Sequence, residues 1–368
     1  MKINNEIKLD FDDVLLVPQR SRAASRKQVQ LQRQFRFYNS SREWSGTPVM
    51  AANMDTVGTL AMSSELSKLQ IVTCLHKYYG NDKILKLEHS PFAMYTWYSM
   101  GIKNIDFDNL SEIVEKTHIT PNICIDVANG YTDNFVNFCK KVRDRFGDRP
   151  IIMAGNVASP EMVQELILHG GVDVVKVGIG PGSACTTRLK TGIGYPQLSC
   201  IMECSHAAHG LRASSGRLGL ICADGGCRLP GDVCKAFAAG ADFVMLGGLL
   251  AGTEECEGEW EKGTKVYWNH GTDKPPEVTG TTAKKFLKFY GMSSKKAQEK
   301  HGQGLKDYRS SEGRVKKIPY KGPVVDTMKD ILGGLRSACA YTGATCLKDF
   351  AKTAQFVRVN RTHHDQTI

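Results

Sequence analysis

A single cysteine lies in a loop that is rich in glycine. Residues 176–197 read KVGIGPGSACTTRLKTGIGYPQ, and Gly178, Gly180 and Gly182 come shortly before Cys185. Glycine lets the backbone turn tightly and bring its N–H and C=O groups close to a ligand or an ion. A cysteine thiolate can form a covalent intermediate with an electrophilic carbon. The stretch therefore predicts a loop that presents a nucleophile beside a bound ligand.

Polar residues and glycine pairs follow several short apolar runs of the sequence. The polar residues are Asn53, Asp55, His76, Lys77, Asp126, Asn129, Asn156 and Asp224, and the glycine pairs are Gly225-Gly226 and Gly247-Gly248. If the apolar runs are parallel strands of one barrel, their carboxyl ends lie on one face, where active sites are built. Glycine pairs after the last two strands of such a barrel often bind phosphate through backbone N–H groups. We therefore expect a phosphorylated ligand.

Eight apolar runs of strand length alternate with amphipathic segments of helix length. The runs are Pro48–Ala52, Ile71–Leu75, Phe92–Trp97, Ile123–Asp126, Ile151–Ala154, Val172–Val177, Leu218–Ala223 and Phe243–Leu246. The helix candidates between them are Thr59–Leu69, Thr132–Phe146, Ser159–His169, Gln197–His209 and Pro230–Ala239. An open sheet seldom needs eight evenly repeated units, so the pattern predicts an α/β protein with a (β/α)8 TIM barrel.

Composition excludes several classes of protein. The chain has 368 residues with 41% hydrophobic and 23% charged, which suffices for one large core. No stretch approaches the roughly 20 apolar residues of a membrane span, and the first residues lack an apolar signal region. We expect a cytoplasmic protein whose twelve cysteines are reduced thiols. The net charge of +10 is scattered along the chain, so neither nucleic acid nor a membrane is an expected partner.

The domain organisation predicted from the sequence is a single barrel domain over residues 1–368. Residues 250–320 interrupt the repeated pattern with Gly-, Glu-, Lys- and Thr-rich sequence. This stretch is too long for a simple connector, so we interpret it as a mobile, lid-like insertion after the eighth strand. The basic tail, residues 360–368, is predicted to be disordered.

Nine motifs together resemble the IMP dehydrogenase/GMP reductase family. They are AANMDTV (51–57), LHKYY (75–79), DVANGY (126–131), MAGNV (153–157), KVGIGPGSACTTR (176–188), ADGG (223–226), MLGG (245–248), YGMSS (290–294) and YRSSEG (308–313). The similarity extends from about residue 9 to residue 359 and fits the reductase members. It implies a (β/α)8 barrel, a homotetramer, and the reduction of GMP to IMP and ammonia with NADPH in purine nucleotide salvage.

The resemblance also implies roles for individual residues. Cys185 would attack C2 of GMP, and Thr187 with Glu312 would protonate the departing ammonia. A monovalent cation, K⁺, would be held by Gly180, Gly182 and Cys185 with Arg188 nearby. The substrate would contact Asp224, Gly225, Gly226, Gly247, Gly248, Gly291, Met292, Ser293, Arg309, Ser310, Ser311, Glu312 and Gly313. NADPH would contact Ser25 and Arg26 of a neighbouring subunit, Lys77, Asp126, Val127, Ala128, Ile179, Gly180, Met292, Tyr308, Arg309, Ser337, Ala338, Cys339 and Ala340.

Two other functions remain open on the sequence alone. IMP dehydrogenase shares the covalent chemistry, but its regulatory modules would follow the second strand, where residues 78–91 are too few for a folded module of about 50 residues. Some members lack those modules, so the YGMSS and YRSSEG motifs are the stronger indication of a reductase. A non-catalytic nucleotide or RNA binder is the third hypothesis, and the presence of Cys185, Thr187 and Glu312 argues against it.

Overall fold

The computed structural model describes residues 3–21, 25–86, 93–118, 120–214, 216–265, 281–302, 304, 307–308 and 310–360. Seventeen strands lie in this part of the chain. They are β1 Val14–Leu16, β2 Arg33–Arg36, β3 Glu43–Gly46, β4 Val49–Ala51, β5 Val72–Cys74, β6 Thr96–Met100, β7 Ile123–Asp126, β8 Ile152–Val157, β9 Val174–Val177, β10 Arg212–Ala213, β11 Gly216–Arg217, β12 Leu220–Asp224, β13 Phe243–Leu246, β14 Trp260–Lys265, β15 Thr281–Tyr290, β16 Val315–Pro319 and β17 Phe356–Arg358.

The same residues contain eleven α-helices, and none of these is long and apolar enough to cross a membrane. They are α1 Leu60–Ser67, α2 Asn81–Leu85, α3 Asn104–Thr117, α4 Asp133–Phe146, α5 Pro160–Leu168, α6 Thr187–Thr191, α7 Gln197–Gly210, α8 Pro230–Ala238, α9 Lys295–His301, α10 Val324–Tyr341 and α11 Leu347–Thr353.

Eight parallel strands close into a barrel in the order β4-β5-β6-β7-β8-β9-β12-β13, with β13 paired to β4. The predicted (β/α)8 architecture is therefore confirmed. One apolar cluster fills the barrel and includes Met50, Cys74, Trp97, Cys124 and Cys222. A second, larger cluster lies between the strands and the surrounding helices. The barrel is thus a packed core, and ligands can bind only at its ends.

A short antiparallel hairpin, β2–β3, covers the amino-terminal end of the barrel. The Phe35 ring lies 4.9 Å from that of Phe243, and the Trp44 ring lies 5.2 Å from it, measured between ring centroids. Both aromatic side chains are buried. Because this end is closed by apolar packing, the opposite, carboxyl end is left for the functional site.

The helices that pack on the barrel follow the predicted apolar spacing. In α4 the buried residues Phe135, Phe138, Cys139 and Val142 recur at intervals of three and four. Thr132 caps this helix, because its hydroxyl accepts a hydrogen bond from the N–H of Phe135 at 3.3 Å. Helices α5 and α8 begin with proline at the first turn, as the sequence predicted.

Two sequence predictions in this region need correction. The third barrel strand is Thr96–Met100 and not Phe92–Trp97, because residues 93–95 form a 3-10 turn and the fully buried run starts after it. Helix α3 was not predicted. Its buried residues Leu110, Ile113 and Thr117 have helical spacing, but the charged residues between them gave the segment a polar appearance.

The insertion after the eighth strand is more ordered than its sequence suggested. Strands β14, β15 and β16 form an antiparallel sheet, and α9 follows β15. The described residues of the insertion thus have regular secondary structure, while its mobility and its action as a lid stay predictions. Residues 266–280 lie outside the described part of the chain. The predicted disordered tail also lies outside it, apart from Asn360.

Candidate active site

The loop that carries Cys185 connects β9 to α6 at the carboxyl end of the barrel. Gly178 has φ +138° and Gly180 has φ +82°, values that residues with a side chain rarely adopt. A Cβ atom at Gly178 would also lie 2.4 Å from the carbonyl oxygen of Asp224. Glycine is therefore required at Gly178 both by backbone conformation and by the close approach of β12.

The insertion holds this loop through main-chain hydrogen bonds. Thr186 N donates to Glu312 O at 3.0 Å, and Arg314 N donates to Ala184 O at 2.9 Å, so that Cys185 and Gly313 form an antiparallel bridge. Two segments more than 100 residues apart are thereby fixed in register. The structure thus brings residues 312–314 next to the Cys185 loop.

Three side chains form a hydrogen-bonded chain that ends at the cysteine. The Cys185 thiol lies 3.2 Å from Thr187 Oγ1, and the Thr187 hydroxyl donates to Glu312 Oε2 at 2.7 Å. Thr187 N also lies 3.5 Å from Cys185 Sγ. All three residues are partly buried. A proton can therefore move between the sulfur atom and the carboxylate through one hydroxyl group.

A cavity of about 250 Å³ opens beside Cys185. The glycine pairs 225–226 and 247–248 line it, and so do Met54, Asp126, Asn156, Lys176, Asp224, Phe289, Gly291, Met292 and Ser293. The predicted substrate residues before position 300 thus surround one space. Of those after it, Ser311 donates to Gly313 O at 3.3 Å and accepts from Lys295 N at 2.9 Å, whereas Arg309 lies outside the described residues. Ser310 lies in the described chain and is exposed.

The glycine pairs line the Cys185 cavity with main-chain N–H groups that could bind a phosphate. Gly225 has φ +86° and Gly226 has φ +88°, and both face the Pro181–Gly182 turn. In the part of the chain that the structure describes, the N–H groups of these residues and of Gly247 and Gly248 have no main-chain acceptor outside the strands. Four unpaired donors on one wall suit an anionic ligand.

The carboxylate of Asp224, a predicted substrate contact, is held by two neighbours that the sequence did not assign. Its Oδ2 accepts from Asn156 Nδ2 at 2.9 Å and from Lys176 Nζ at 2.7 Å. Gln197 Nε2 donates to the main-chain oxygen of Asp224 at 3.3 Å. Among the described residues Oδ1 has no protein donor, which leaves that oxygen for a ligand hydroxyl.

The predicted cofactor residues divide into two separate groups. Asp126, Val127, Ala128, Ile179, Gly180 and Met292 line the Cys185 cavity. A second cavity of about 530 Å³ lies next to the first, and Ala128, Ile179 and Thr187 line both. The second cavity is also lined by Glu312, Tyr131, Ser159 and Tyr195. Lys77 is exposed nearby, and its charge acts on Asp126. Tyr308, which is 76% exposed, lines neither cavity.

The second group lies at the carboxyl-terminal end of α10, away from both cavities. The Arg26 guanidinium lies 5.7 Å from the centre of the Tyr341 ring, just after Ser337, Ala338, Cys339 and Ala340. Ser25 caps the short 3-10 helix that carries Arg26. Cys339 is fully buried, so its side chain cannot contact a cofactor. Within one chain this group is not brought together with Cys185.

Arg188 is fixed by the amino-terminal segment. Its Nη1 donates to Asp10 Oδ2 at 2.8 Å and its Nη2 to Tyr195 O at 2.5 Å, while Asp10 Oδ1 accepts from Gln197 N at 2.5 Å. The Arg188 side chain also packs against Gly180. A guanidinium group cannot bind a cation, so Arg188 could contribute to the predicted cation site only through its main chain.

Asp55 anchors the insertion to the first barrel strand. It is buried, and its Oδ2 accepts from Tyr290 Oη at 2.7 Å, Lys300 Nζ at 2.8 Å and His301 Nε2 at 2.7 Å. Burial disfavours the ionised form, but these hydrogen bonds hold the pKa of Asp55 below its ordinary value. The Tyr78 ring stacks on His301 at 3.6 Å. We call Asp55 and its three donors, Tyr290, Lys300 and His301, the Asp55 hub. It positions Gly291 to Ser293, because these residues follow Tyr290 directly.

Replacing Asp55 by asparagine should loosen this attachment. We expect Asp55→Asn to lower the free energy of unfolding by about 1–3 kcal/mol, because a charged acceptor of three hydrogen bonds is lost, and to speed amide exchange in residues 290–301. Since the pKa of Asp55 is depressed in the fold, its contribution is present at neutral pH and is lost as the pH falls through that value. Hydrogen exchange with mass spectrometry at neutral pH measures the effect.

The matched control is Asp349→Asn, which removes a surface carboxylate paired with Lys352. It should leave exchange in residues 290–301 unchanged. Equal exchange in wild type and Asp55→Asn would show that the sheet β14–β16 holds the insertion without this hub.

Comparison with known proteins gives one consistent assignment. The family model described as IMP dehydrogenase / GMP reductase domain matches residues 93–366. Proteins named GMP reductase from Yersinia enterocolitica serotype O:8 / biotype 1B and from Yersinia pestis strain Pestoides F are each 48% identical over 362 residues. The alignment covers 98% of this chain and 97% of each relative. The similarity therefore includes the barrel, the Cys185 loop and the insertion.

Proposed function

The chain belongs to the IMP dehydrogenase/GMP reductase family, and on this premise we propose that it is a GMP reductase that converts GMP to IMP and ammonia with NADPH. The observation that carries the proposal is the chain of hydrogen bonds from Cys185 through Thr187 to Glu312 beside a cavity with a phosphate cradle. Relatives that are 48% identical bear the reductase name, so IMP dehydrogenase is not favoured.

In the first half of the reaction, the Cys185 sulfur atom attacks C2 of the purine. Its proton passes through the Thr187 hydroxyl to Glu312, which lies at the end of a 2.7 Å hydrogen bond. The C2–N bond then breaks, and the same proton returns through Thr187 to the departing amine, which leaves as ammonia. Thiol and amine thus become thioimidate and ammonia with no net gain of protons.

In the second half, the C2–S bond breaks, and the sulfur atom leaves as a thiolate that takes its proton from water and not from Glu312. NADPH, when bound, supplies the hydride that C2 receives, and IMP is the product. Ala128 and Ile179 are shared by the Cys185 cavity and the second cavity, so a nicotinamide ring there would lie against the purine. Lys77 and Asp126 would lie on the cofactor side of the Cys185 cavity. The remaining cofactor residues, at Arg26 and the end of α10, would serve a neighbouring subunit of a homotetramer.

Binding of the nucleotide follows from the walls of the cavity. The four glycine N–H groups receive the phosphate, Asp224 Oδ1 accepts from a ribose hydroxyl, and Met292 and Ser293 lie along the base. Glu312 N donates to Ser293 O at 3.2 Å. This hydrogen bond couples the loop that would contact the base to the proton relay of Thr187 and Glu312. A correctly bound base therefore places C2 beside Cys185.

A monovalent cation would complete the Cys185 loop. Gly182 O accepts from Cys185 N at 2.9 Å, whereas the carbonyl groups of Gly180 and Cys185 have no main-chain donor among the described residues. Carbonyl oxygens in a turn of this kind suit K⁺. We expect activity to fall when Li⁺ replaces K⁺ at constant ionic strength, because a smaller ion would draw the loop inward and displace Cys185. Initial rates measure this, and equal rates in both salts would contradict the cation site.

A spectrophotometric assay tests the proposed function. Absorbance of NADPH should fall when GMP is added, and the reaction of IMP with NAD⁺ should be slow or absent. The reverse preference would identify an IMP dehydrogenase, and inactivity in both assays would favour a non-catalytic binder.

A further inference from the structure

One lysine is buried inside the barrel directly beneath the candidate active site. Lys176, on β9, is 3% exposed and is the only lysine or arginine among the described residues that is buried. Its Nζ lies 2.6 Å from Asp126 Oδ1 and 2.7 Å from Asp224 Oδ2. Burying a charge is costly unless it is paired, so both contacts are needed to hold the ammonium there.

The barrel is built so that Lys176 can reach both carboxylates. Asp126 is on β7 and Asp224 on β12, while β8 lies between β7 and β9. The residue of β8 in register with Lys176 is Gly155, which is also in register with Asp126. A Cβ atom at Gly155 would lie 2.3 Å from Lys176 O and 2.7 Å from Lys176 Cβ. The missing side chain opens the path from Lys176 to Asp126.

The two carboxylates face the two ligands of the proposed reaction. Asp224 Oδ2 is occupied by Lys176 and Asn156, which directs Oδ1 toward the ribose of the nucleotide. Asp126 lines the same cavity on the side where Lys77 and Ala128 would meet the cofactor. Lys176 therefore contacts one carboxylate on the nucleotide side and one on the cofactor side.

Resting on the proposed function, we propose that Lys176 is a positioning residue for both ligands: its ammonium group ties Asp126 and Asp224 together and so sets the separation of the nucleotide and cofactor sites. It contacts no reacting atom. Without Lys176 the two partly buried carboxylates would lose their shared counter-charge, and each would turn away or take up a proton.

Electrostatics in the native protein agree with this arrangement. Burial disfavours the ammonium form, but Asp126 and Asp224 raise the pKa of Lys176 well above its ordinary value. Burial likewise opposes ionisation of Asp126, while Lys176 and Lys77 keep its pKa below the ordinary value and Asn53 adds a hydrogen bond. The thiols of Cys124, Cys222 and Cys74 also face this region, and burial raises the pKa of Cys74 and of Cys222.

The test compares Lys176→Met with Lys176→Arg in steady-state kinetics across pH. We expect Lys176→Met to raise KM for GMP and KM for NADPH each by about 10- to 100-fold, since truncating one partner of a buried charge pair is strongly unfavourable, with a smaller change in kcat. The pKa of Asp126 should rise in this variant, so KM for NADPH should acquire an ionisation nearer neutral pH. Lys176→Arg keeps the charge, so its KM for GMP and its KM for NADPH should lie between those of wild type and Lys176→Met.

Two further variants separate positioning from general stability. Arg143→Met breaks another charge pair, in which the partly buried Arg143 donates from Nη2 to Oδ2 of the buried Asp173 at 2.6 Å, outside the Cys185 cavity. It should lower Tm without changing either KM. If Lys176→Met does not fold, Lys176→Met with Asp126→Asn removes one of the two facing charges and should recover GMP binding more than NADPH binding.

The outcomes distinguish the two proposals. Wild-type protein that neither binds GMP nor oxidises NADPH would overturn the proposed function. An active wild type with a folded Lys176→Met, or folded double variant, whose KM values stay within twofold of wild type would overturn the role of Lys176 alone. A Lys176→Met variant that lowers Tm as Arg143→Met does, with both KM values unchanged, would do the same.

Discussion

Replacing Cys185 by serine should abolish turnover while GMP still binds. A hydroxyl is far less acidic than a thiol and cannot easily supply the nucleophile at neutral pH. The exchange of sulfur for oxygen is small, and the main-chain bridge to Gly313 does not involve the side chain. We therefore expect a rate below about 0.1% of wild type, within the loss that removal of a nucleophile causes in other enzymes, and a Kd for GMP within a few-fold of wild type.

Cys346→Ser is the matched control for this substitution. The Cys346 thiol is also partly exposed and also lies near a side-chain oxygen, at 3.3 Å from Asp349 Oδ2, but it lies outside both cavities. Its activity should equal that of wild type. NADPH oxidation measures the turnover rate, and isothermal titration with GMP measures Kd. A Cys185→Ser rate above a few per cent of wild type would remove Cys185 from the mechanism.

Replacing Glu312 by glutamine should separate the two halves of the reaction. The amide cannot take the proton that passes through Thr187, so ammonia departure loses its acid. We expect the deamination step to slow by about 10²- to 10⁴-fold, the usual contribution of general acid–base catalysis. Hydride transfer leaves no amine to protonate and should slow far less. The main-chain bond from Thr186 N to Glu312 O remains, so the loop should keep its place.

The reverse direction gives the measurement for Glu312→Gln. Mixed with IMP and NADP⁺, the variant should still form NADPH in a single turnover, while ammonia-dependent formation of GMP nearly vanishes. Glu299→Gln on α9 alters a surface carboxylate 3.8 Å from Lys295 and serves as the control. Equal loss of both half-reactions would reassign Glu312 to holding the loop.

The barrel and its active face followed from the sequence because both rest on local signals. Seven of the eight barrel strands coincide with predicted apolar runs, since a strand buried on both faces must be almost wholly apolar. The third strand was misplaced where a 3-10 turn shares its apolar character. Glycine pairs and polar strand ends predicted a ligand site at the carboxyl end, where the structure has the Cys185 cavity.

Contacts between distant segments could not be predicted in the same way. Asp10 holding Arg188, Asp55 holding His301, and Lys176 between Asp126 and Asp224 all join residues far apart in the chain. Lys176 stands within an otherwise apolar strand, and that break in the pattern was the one signal available. The sheet β14–β16 was missed because its sequence is polar and its strands face solvent on one side.

The most direct test of the account is the mass of the protein during turnover. Wild-type protein mixed with IMP and NADP⁺, quenched in acid and analysed intact, should gain the mass of one nucleotide, and peptide mapping should place the added mass on Cys185. Cys185→Ser should gain none under the same conditions. Turnover without any adduct, or an adduct on another cysteine, would contradict a covalent mechanism at Cys185.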